Sequence, residues 1–241
     1  LVIYLLVVMT SLLGGGSLFL FALFLFLGSL DLVNLGLDAA TALGWDAGIS
    51  LAFFVQHSVM IRQSCRRQLG RILSEKYHGL AYTMVSGVFL LGVVFFWQGL
   101  DYHLLTLTGW LRLVARLIFF LAMAGFFWGV LSLGFFDPFG LKPILPDRLA
   151  LPAQPQGLVV RGPYRWVRHP LYLCVILLIW SCPDVTADRL LFNLLWTGWI
   201  IIGTRLEERD LVETFGQAYR DYQRQVPMLL PYRPSPPPKP E

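Results

Sequence analysis

Apolar residues run without a single charge from Leu1 to Leu30, and long apolar stretches closed by short polar segments then recur along the chain. A helix needs about 20 apolar residues to cross the hydrocarbon of a bilayer. The stretches 3–28, 44–61, 77–99, 111–135, 169–183 and 188–204 are candidates. This pattern predicts an all-α, polytopic integral membrane protein with about six transmembrane helices. Gly14-Gly15-Gly16 interrupts the first stretch, which kinks there or admits a close neighbour. Leu1 to Leu30 is too long and too uniformly apolar for a signal peptide.

Residues 1–135 read as a four-helix transmembrane bundle. The connection at 136–166 carries Pro138, Pro143, Pro146, Pro152 and Pro155, so it is not one helix. Its Phe, Leu and Val content suits an ordered cytoplasmic cover better than a plain linker. Together with the two short apolar stretches and the polar segment after them, it makes a second region over 136–231. Leu211, Phe215, Tyr219 and Tyr222 recur at helical spacing within 207–225, which predicts an amphipathic helix on the membrane surface or over a site. The Pro-rich tail over 232–241 is expected to be disordered or polyproline II.

Charge sets the orientation. Arg62, Arg66, Arg67, Arg71 and Lys76 follow the second stretch, and Lys142, Arg148, Arg161, Arg165 and Arg168 follow the fourth. Arg205, Arg209, Arg220, Arg224, Arg233 and Lys239 follow the sixth, while the opposite loops carry Asp31, Asp38, Asp46, Asp101, Asp184 and Asp188. Basic residues mark the cytoplasmic side, so both termini are expected in the cytoplasm, with the chain in the inner, or cell, membrane and in contact with its lipids. Arg112, Arg116 and Arg189 are the exceptions, read as snorkelling to headgroups. The basic balance reports topology rather than nucleic-acid binding. Cys65, Cys174 and Cys182 have neither disulfide-framework nor zinc spacing, and no metal is expected. No Walker loop, GxSxG, HExxH or GxGxxG occurs, so a nucleotide-like ligand would be held without a Rossmann domain.

If the last two stretches form an antiparallel hairpin turning near Thr186, residue 169 falls opposite residue 203 or so. Arg168-His169-Pro170 then meets Arg205 and Glu207-Glu208 at one membrane face. Fifteen helical residues reach only ~22 Å against ~30 Å of hydrocarbon. Those tips would line a recess below the headgroups, open to the cytosol and bordered by lipid. Each group alone suits a bland role: a positive-inside anchor for Arg168, a helix start for His169-Pro170, a solvated face for Glu207-Glu208. Gathered at membrane depth, ionisable groups are costly and mark a functional site.

The stretch Gly162-Pro-Tyr-Arg-Trp-Val-Arg-His-Pro-Leu-Tyr, with Arg205-Leu-Glu-Glu, Phe215-Gly, Tyr219, Tyr222 and Val226-Pro-Met, resembles the C-terminal signature of the integral-membrane methyltransferases. Isoprenylcysteine carboxyl methyltransferase and phospholipid N-methyltransferase belong there. The resemblance is closer to the methanethiol S-methyltransferases, and extends through Gln56-His57-Ser58-Val59-Met60 and Phe136-Asp137-Pro138-Phe139-Gly140-Leu141. It departs from that pattern at Cys174, where Gly is usual and a larger side chain could narrow the cofactor pocket, and at Asp137-Pro138.

The resemblance implies S-adenosylmethionine as methyl donor and methanethiol, or another small membrane-soluble thiol, as acceptor, giving dimethyl sulfide. It implies a cofactor site over Gly162, Tyr164, Arg168, His169, Pro170, Tyr172, Leu173, Glu207 and Glu208. Arg168 and His169 would donate to the carboxylate or ribose side of the donor. Glu207 and Glu208 would accept from its ammonium or ribose and balance the sulfonium. Tyr164 and Tyr172 would offer ring faces, and Pro170 would keep His169 out of helical geometry. His57, His169 and Glu208 are the candidate bases for the thiol proton; for His57 an interhelical structural role stands equally. Arg205 is expected to act in catalysis, first by orienting Glu208 as its charge partner and second by a direct role. Three other readings stay open: a prenylcysteine carboxylate or lipid amine as acceptor, an NADPH-dependent sterol-type reductase, and a non-enzymatic accessory protein of nitrogen-oxide metabolism.

Overall fold

The computed structural model describes residues 2–134, 137–145 and 157–232. Phe136, the prolines 146, 152 and 155, and the tail from Arg233 lie outside the described residues. The chain divides into two compact units. The first holds residues 1–108, 137–151 and 182–196; the second holds 109–136, 152–181 and 197–241.

The first unit contains α1 (Val2–Leu27), α2 (Ala39–Ile61), α3 (Gln63–Leu69) and α4 (His78–Phe96). Asp38 starts α2 by accepting from the backbone N–H groups of Ala40 and Thr41, donors that the first helical turn leaves without partners. α1 is continuous through its three glycines. Gly14 admits a close neighbour instead, since a Cβ there would lie 2.6 Å from Thr83 Cγ2 of α4. Gly87 matches this from the other side, where a Cβ would lie 2.7 Å from the Leu13 carbonyl oxygen. Small residues thus let α1 and α4 approach closely, as membrane helices do.

A short antiparallel ladder joins β1 (His103–Thr106) to β2 (Asp184–Thr186). It departs from the all-helical expectation and from the tight turn expected near Thr186. The ladder draws 184–186 into extended backbone, and α7 (Ala187–Phe215) begins directly after it.

The core of this unit is aromatic. Phe192 stacks on Trp196 at 4.8 Å, Phe24 meets Phe192 edge-on at 5.1 Å, and Phe53 stacks on Trp196 at 5.2 Å. Arg189 lies inside it, 2% exposed. Its guanidinium donates to the carbonyls of Phe24 (3.2 Å) and Leu25 (2.9 Å) and lies over the rings of Phe24 and Phe192. Arg189 therefore does not snorkel to headgroups; it donates to carbonyls in the last turn of α1, where the helix dipole favours a cation, and shares the Phe24 carbonyl with the Gly28 N–H. Asp188 beside it accepts from Trp97 Nε1 (2.9 Å) and the Leu100 N–H (3.2 Å).

The second unit contains α5 (Gly109–Ser132), α6 (Pro170–Trp180), the rest of α7, and α8 (Gln217–Gln225). Gly125 and Gly129 form a Gly-x-x-x-Gly face on α5. A Cβ at 129 would lie 2.6 Å from Leu171 Cδ2, and one at 125 would lie 3.1 Å from Cys174 Sγ, so both glycines serve the α5–α6 contact. The helix expected over 207–225 is two helices, because Gly216 adopts φ +56° and ψ −126°, a conformation that essentially only glycine takes.

Helices occur at all six predicted stretches. Among the described residues, α1, the helix over Glu75–Phe96 and α5 are long and apolar enough to cross a membrane, and α6 is a shorter apolar helix. The six-span count is not confirmed by that measure. α2 interrupts its apolar run with Asp46, Gln56 and His57, and α7 turns polar after Thr204.

Replacing Arg189 by Leu will lower stability by on the order of 2–4 kcal/mol, because two charge-assisted hydrogen bonds and a favourable helix-end charge are lost together. The measurement is the thermal unfolding midpoint of the purified protein, and an unchanged midpoint would show that Arg189 does not hold the end of α1.

Candidate functional site

The second unit gathers most of the residues singled out in the sequence. Pro170 opens α6 at its first position, where its missing N–H costs nothing. His169 before it sits at φ −124° and ψ 65°, outside helical geometry. The N–H groups of Arg168 and His169 donate instead to the carbonyls of Pro227 (2.9 Å) and Met228 (3.1 Å), just beyond α8. The loop is held at its other end by Gly162, with φ +57°; a Cβ there would lie 2.2 Å from Ser132 Oγ at the end of α5. Gly162 thus makes a close approach that no other residue permits.

Glu208 is the hub. Arg168 pairs with it through two hydrogen bonds, Nε to Oε1 at 2.6 Å and Nη2 to Oε2 at 2.9 Å. Gln223 Nε2 donates to Oε2 (3.0 Å), Tyr219 Oη to Oε1 (3.3 Å), and His169 Nε2 lies 3.1 Å from Oε1. Burial of Glu208 works against its charge, but the hydrogen bonds from His169 and Arg168, and then the Arg168 charge, outweigh it and hold the carboxyl at about 2. An ionised carboxylate only accepts, so His169 Nε2 carries the hydrogen and, in the neutral ring, Nδ1 is the acceptor. That Nδ1 lies 3.9 Å from Glu207 Oε2.

Arg168 is spent on this framework. Its Nη1 donates to the carbonyls of Gln223 (3.1 Å) and Val226. Arg205, expected to orient Glu208, is exposed on α7, and the position belongs to Arg168. The reason is that Arg168 already takes both carboxylate oxygens, and the hairpin pairs lower on α7 than expected. Trp180 Nε1 bonds Thr197 Oγ1 at 2.9 Å, Tyr172 Oη bonds Glu207 Oε2 at 2.7 Å, and His169 meets Glu208 rather than residue 203. α6 is far shorter than α7, so the first part of α7 has no counterpart in it.

Glu207 is different from its neighbour. Its side chain is 43% exposed, with the Tyr172 hydroxyl donating to one oxygen. The Tyr172 ring stacks on His169 at 5.6 Å between centroids. Burial pushes the Tyr164 phenol up, and the nearby Glu207 charge and Cys174 add to this, so the phenol stays protonated beside that carboxylate. The backbone carbonyl of Tyr164 accepts from Tyr222 Oη. Leu173 is half-buried in the first turn of α6, its N–H bonded to the His169 carbonyl (3.1 Å). Cys174, which stands where a glycine is usual, packs against Gly125.

His57 belongs to the first unit. It lies 3.0 Å from Tyr82 Oη and packs on Phe53, while Gln56 Nε2 donates to Ser86 Oγ (3.1 Å). Sequence reasoning missed Gln223 and the Val226–Met228 carbonyls, and took Tyr219 and Tyr222 for an apolar stripe. The tyrosines and Val226–Met228 were signalled by their place in the signature, and Gln223 lies outside it.

The NnrU protein family matches residues 47–202. Methanethiol S-methyltransferase of Pseudomonas deceptionensis is 37% identical over 186 residues, which cover 74% of this chain and 69% of that protein. Methanethiol S-methyltransferase of Mycobacterium tuberculosis is 34% identical over 183 residues, covering 75% and 74%. The chain belongs to this family. Nurim of Xenopus laevis is more distant, 23% identical over 177 residues, covering 70% of the chain and 62% of Nurim. The matched relatives and the NnrU segment run across both units.

Replacing Arg168 by Ala strands a largely buried carboxylate and will cost about 3–5 kcal/mol, whereas the Arg168→Ala/Glu208→Gln pair will recover part of that loss. The Glu208 carboxyl titrates below its unfolded value of about 4.3. Its contribution is therefore complete above that pH and disappears as the pH falls through about 2. The gap in unfolding midpoint between wild type and Glu208→Gln will be constant above about pH 5 and shrink below about pH 4. A gap that grows on acidification would contradict the pairing.

Proposed function

We propose that this protein transfers a methyl group from S-adenosylmethionine to a small thiol, with methanethiol giving dimethyl sulfide, at the cytoplasmic edge of the cell membrane. The observation that carries this reading is the division of labour between two adjacent glutamates. Glu208 is neutralised by Arg168, which leaves Glu207 as a half-exposed carboxylate beside two tyrosine rings and an imidazole. A carboxylate with aromatic faces around it suits a ligand with a net positive charge. S-adenosylmethionine carries a sulfonium and an ammonium against one carboxylate. Its chemistry, when bound, is an electrophilic methyl carbon whose bonding pair returns to the donor sulfur as the acceptor sulfur attaches.

Glu207, Tyr172, Tyr164 and His169 would hold the donor. Arg168 and Glu208 would fix the frame around it. The acceptor must be a thiolate to attack, and a free thiol near pKa 8.5 is mostly protonated at neutral pH. His169 is the best-placed group to take that proton at Nδ1, because Glu208 pins Nε2 as the hydrogen-bearing nitrogen. Neutralising a thiolate with a sulfonium disperses charge, so excluding water lowers the barrier; a site bordered by lipid assists that. The basic segments support a cytoplasmic placement of this site and of both termini.

The test uses the purified protein. Wild type will bind S-adenosylhomocysteine and not NADPH, and will release dimethyl sulfide into the headspace when supplied with methanethiol. Glu207→Gln will raise the KM for the donor, and His169→Gln will lower kcat by about 100-fold or more, the usual weight of a general base. Binding of NADPH, or methylation of prenylcysteine or a lipid amine in preference to methanethiol, would overturn the assignment.

A further inference from the structure

Among the described residues, polar groups of α8 and of the segment after it meet the Arg168–Glu208 pair and are engaged with the frame. Tyr219 and Gln223 donate to Glu208, and the Gln223 and Val226 carbonyls accept from Arg168 Nη1. Tyr222 donates to the Tyr164 carbonyl. Pro227 and Met228 accept from the N–H groups of Arg168 and His169. These contacts tie both ends of the loop 164–169 to one strap. Beneath it, Tyr219, Tyr222 and Val226 are buried and pack with Leu158, Leu211, Val212 and Phe215. The strap leaves α7 at Gly216, where positive φ reverses the chain and sends α8 back across the tip of the helix it has just left.

We propose that α8 and Val226–Met228 form a positioning strap that sets the affinity of the donor site without touching the donor, with Gln223, Tyr219 and Tyr222 as its positioning residues. This rests on the methyl-donor reading above. The physical reason is competition for Arg168. If Gln223 and Tyr219 did not share the load on Glu208, the guanidinium and carboxylate would be free to reorient, and His169 would lose the partner that fixes which ring nitrogen bears the hydrogen. Arg168 could then swing toward Glu207 and cancel the one charge the ligand requires. Other charged or titratable groups facing Glu208 are His169, Tyr219 and Tyr222.

Gln223→Glu keeps size and shape while replacing the donor NH2 by a charged acceptor oxygen, so it removes the hydrogen bond and sets a second carboxylate against Glu208 without disturbing packing. Gln223→Lys restores a donor at the cost of shape. S-adenosylhomocysteine binding to the purified full chain will be about tenfold or more weaker in Gln223→Glu, the usual effect of losing a hydrogen bond to a charged group. In Gln223→Lys it will stay within about threefold of wild type. Hydrogen exchange provides a readout without ligand: the amides of Arg168 and His169 will exchange faster in Gln223→Glu than in wild type. Tyr222→Phe removes one hydroxyl only and will speed exchange around Tyr164 and Arg168, which keeps the test open if Gln223→Glu fails to fold. Binding and exchange in Gln223→Glu equal to wild type would overturn the strap. Absence of S-adenosylhomocysteine binding in wild type, with faster exchange in Gln223→Glu, would overturn the donor reading and leave the strap standing.

Discussion

The Arg168–Glu208 pair is the interaction on which the second unit depends. Removing two charges from water costs several kcal/mol per ion, and Coulomb attraction offsets this only when geometry is good and the remaining hydrogen-bonding capacity is used. Here the fork of the guanidinium meets both carboxylate oxygens, and the surplus capacity on each side is taken up by Tyr219, Gln223, His169 and the strap carbonyls. The pair thereby joins the loop before α6 to the polar end of α7 and to α8, some forty residues further along the chain. Within α8 itself, Tyr219 and Tyr222 are the buried residues.

The first unit solves a related problem with a different cation. Arg189 donates to carbonyls in the last turn of α1 from within an aromatic cluster, so a charge that looks misplaced on the outer side of the bundle serves the end of another helix. Both units follow one rule. An arginine enters an apolar setting only where backbone carbonyls or a carboxylate use its donor fork, and small residues elsewhere bring helices close enough for dispersion forces to act.

Helix positions were legible because an apolar run of membrane length has few other readings. The two ionic clusters were legible as neighbours, since any hairpin of two short helices brings their tips together. Pairing within the clusters was not. Arg205 and Glu208 lie three apart on α7, a spacing that suits an ion pair, whereas Arg168 reaches Glu208 from forty residues away and leaves no local trace in the sequence. The strap was illegible for another reason: it acts through the carbonyls of Gln223, Val226, Pro227 and Met228, and a backbone acceptor has no signature in side-chain identity. Gly216 did carry a signal, because a glycine inside an amphipathic pattern marks a place where a helix can stop.

Two consecutive glutamates on a helix point about 100° apart, so one arginine cannot neutralise both from a fixed position. That geometric fact gives the site a net charge of its own. Arg168 and Glu208 cancel, and Glu207 does not. Attraction between unit charges 4 Å apart lies between about 1 kcal/mol in water and about 4 kcal/mol near a protein surface, and the partial exposure of Glu207 places it toward the lower figure. A sulfonium donor is a net cation, and the thioether left after methyl loss is a neutral zwitterion. On the proposed reading the same carboxylate therefore holds the donor more firmly than the spent product. Were Glu207 paired as Glu208 is, the site would lose that electrostatic preference, and the spent product would compete with the donor on more equal terms.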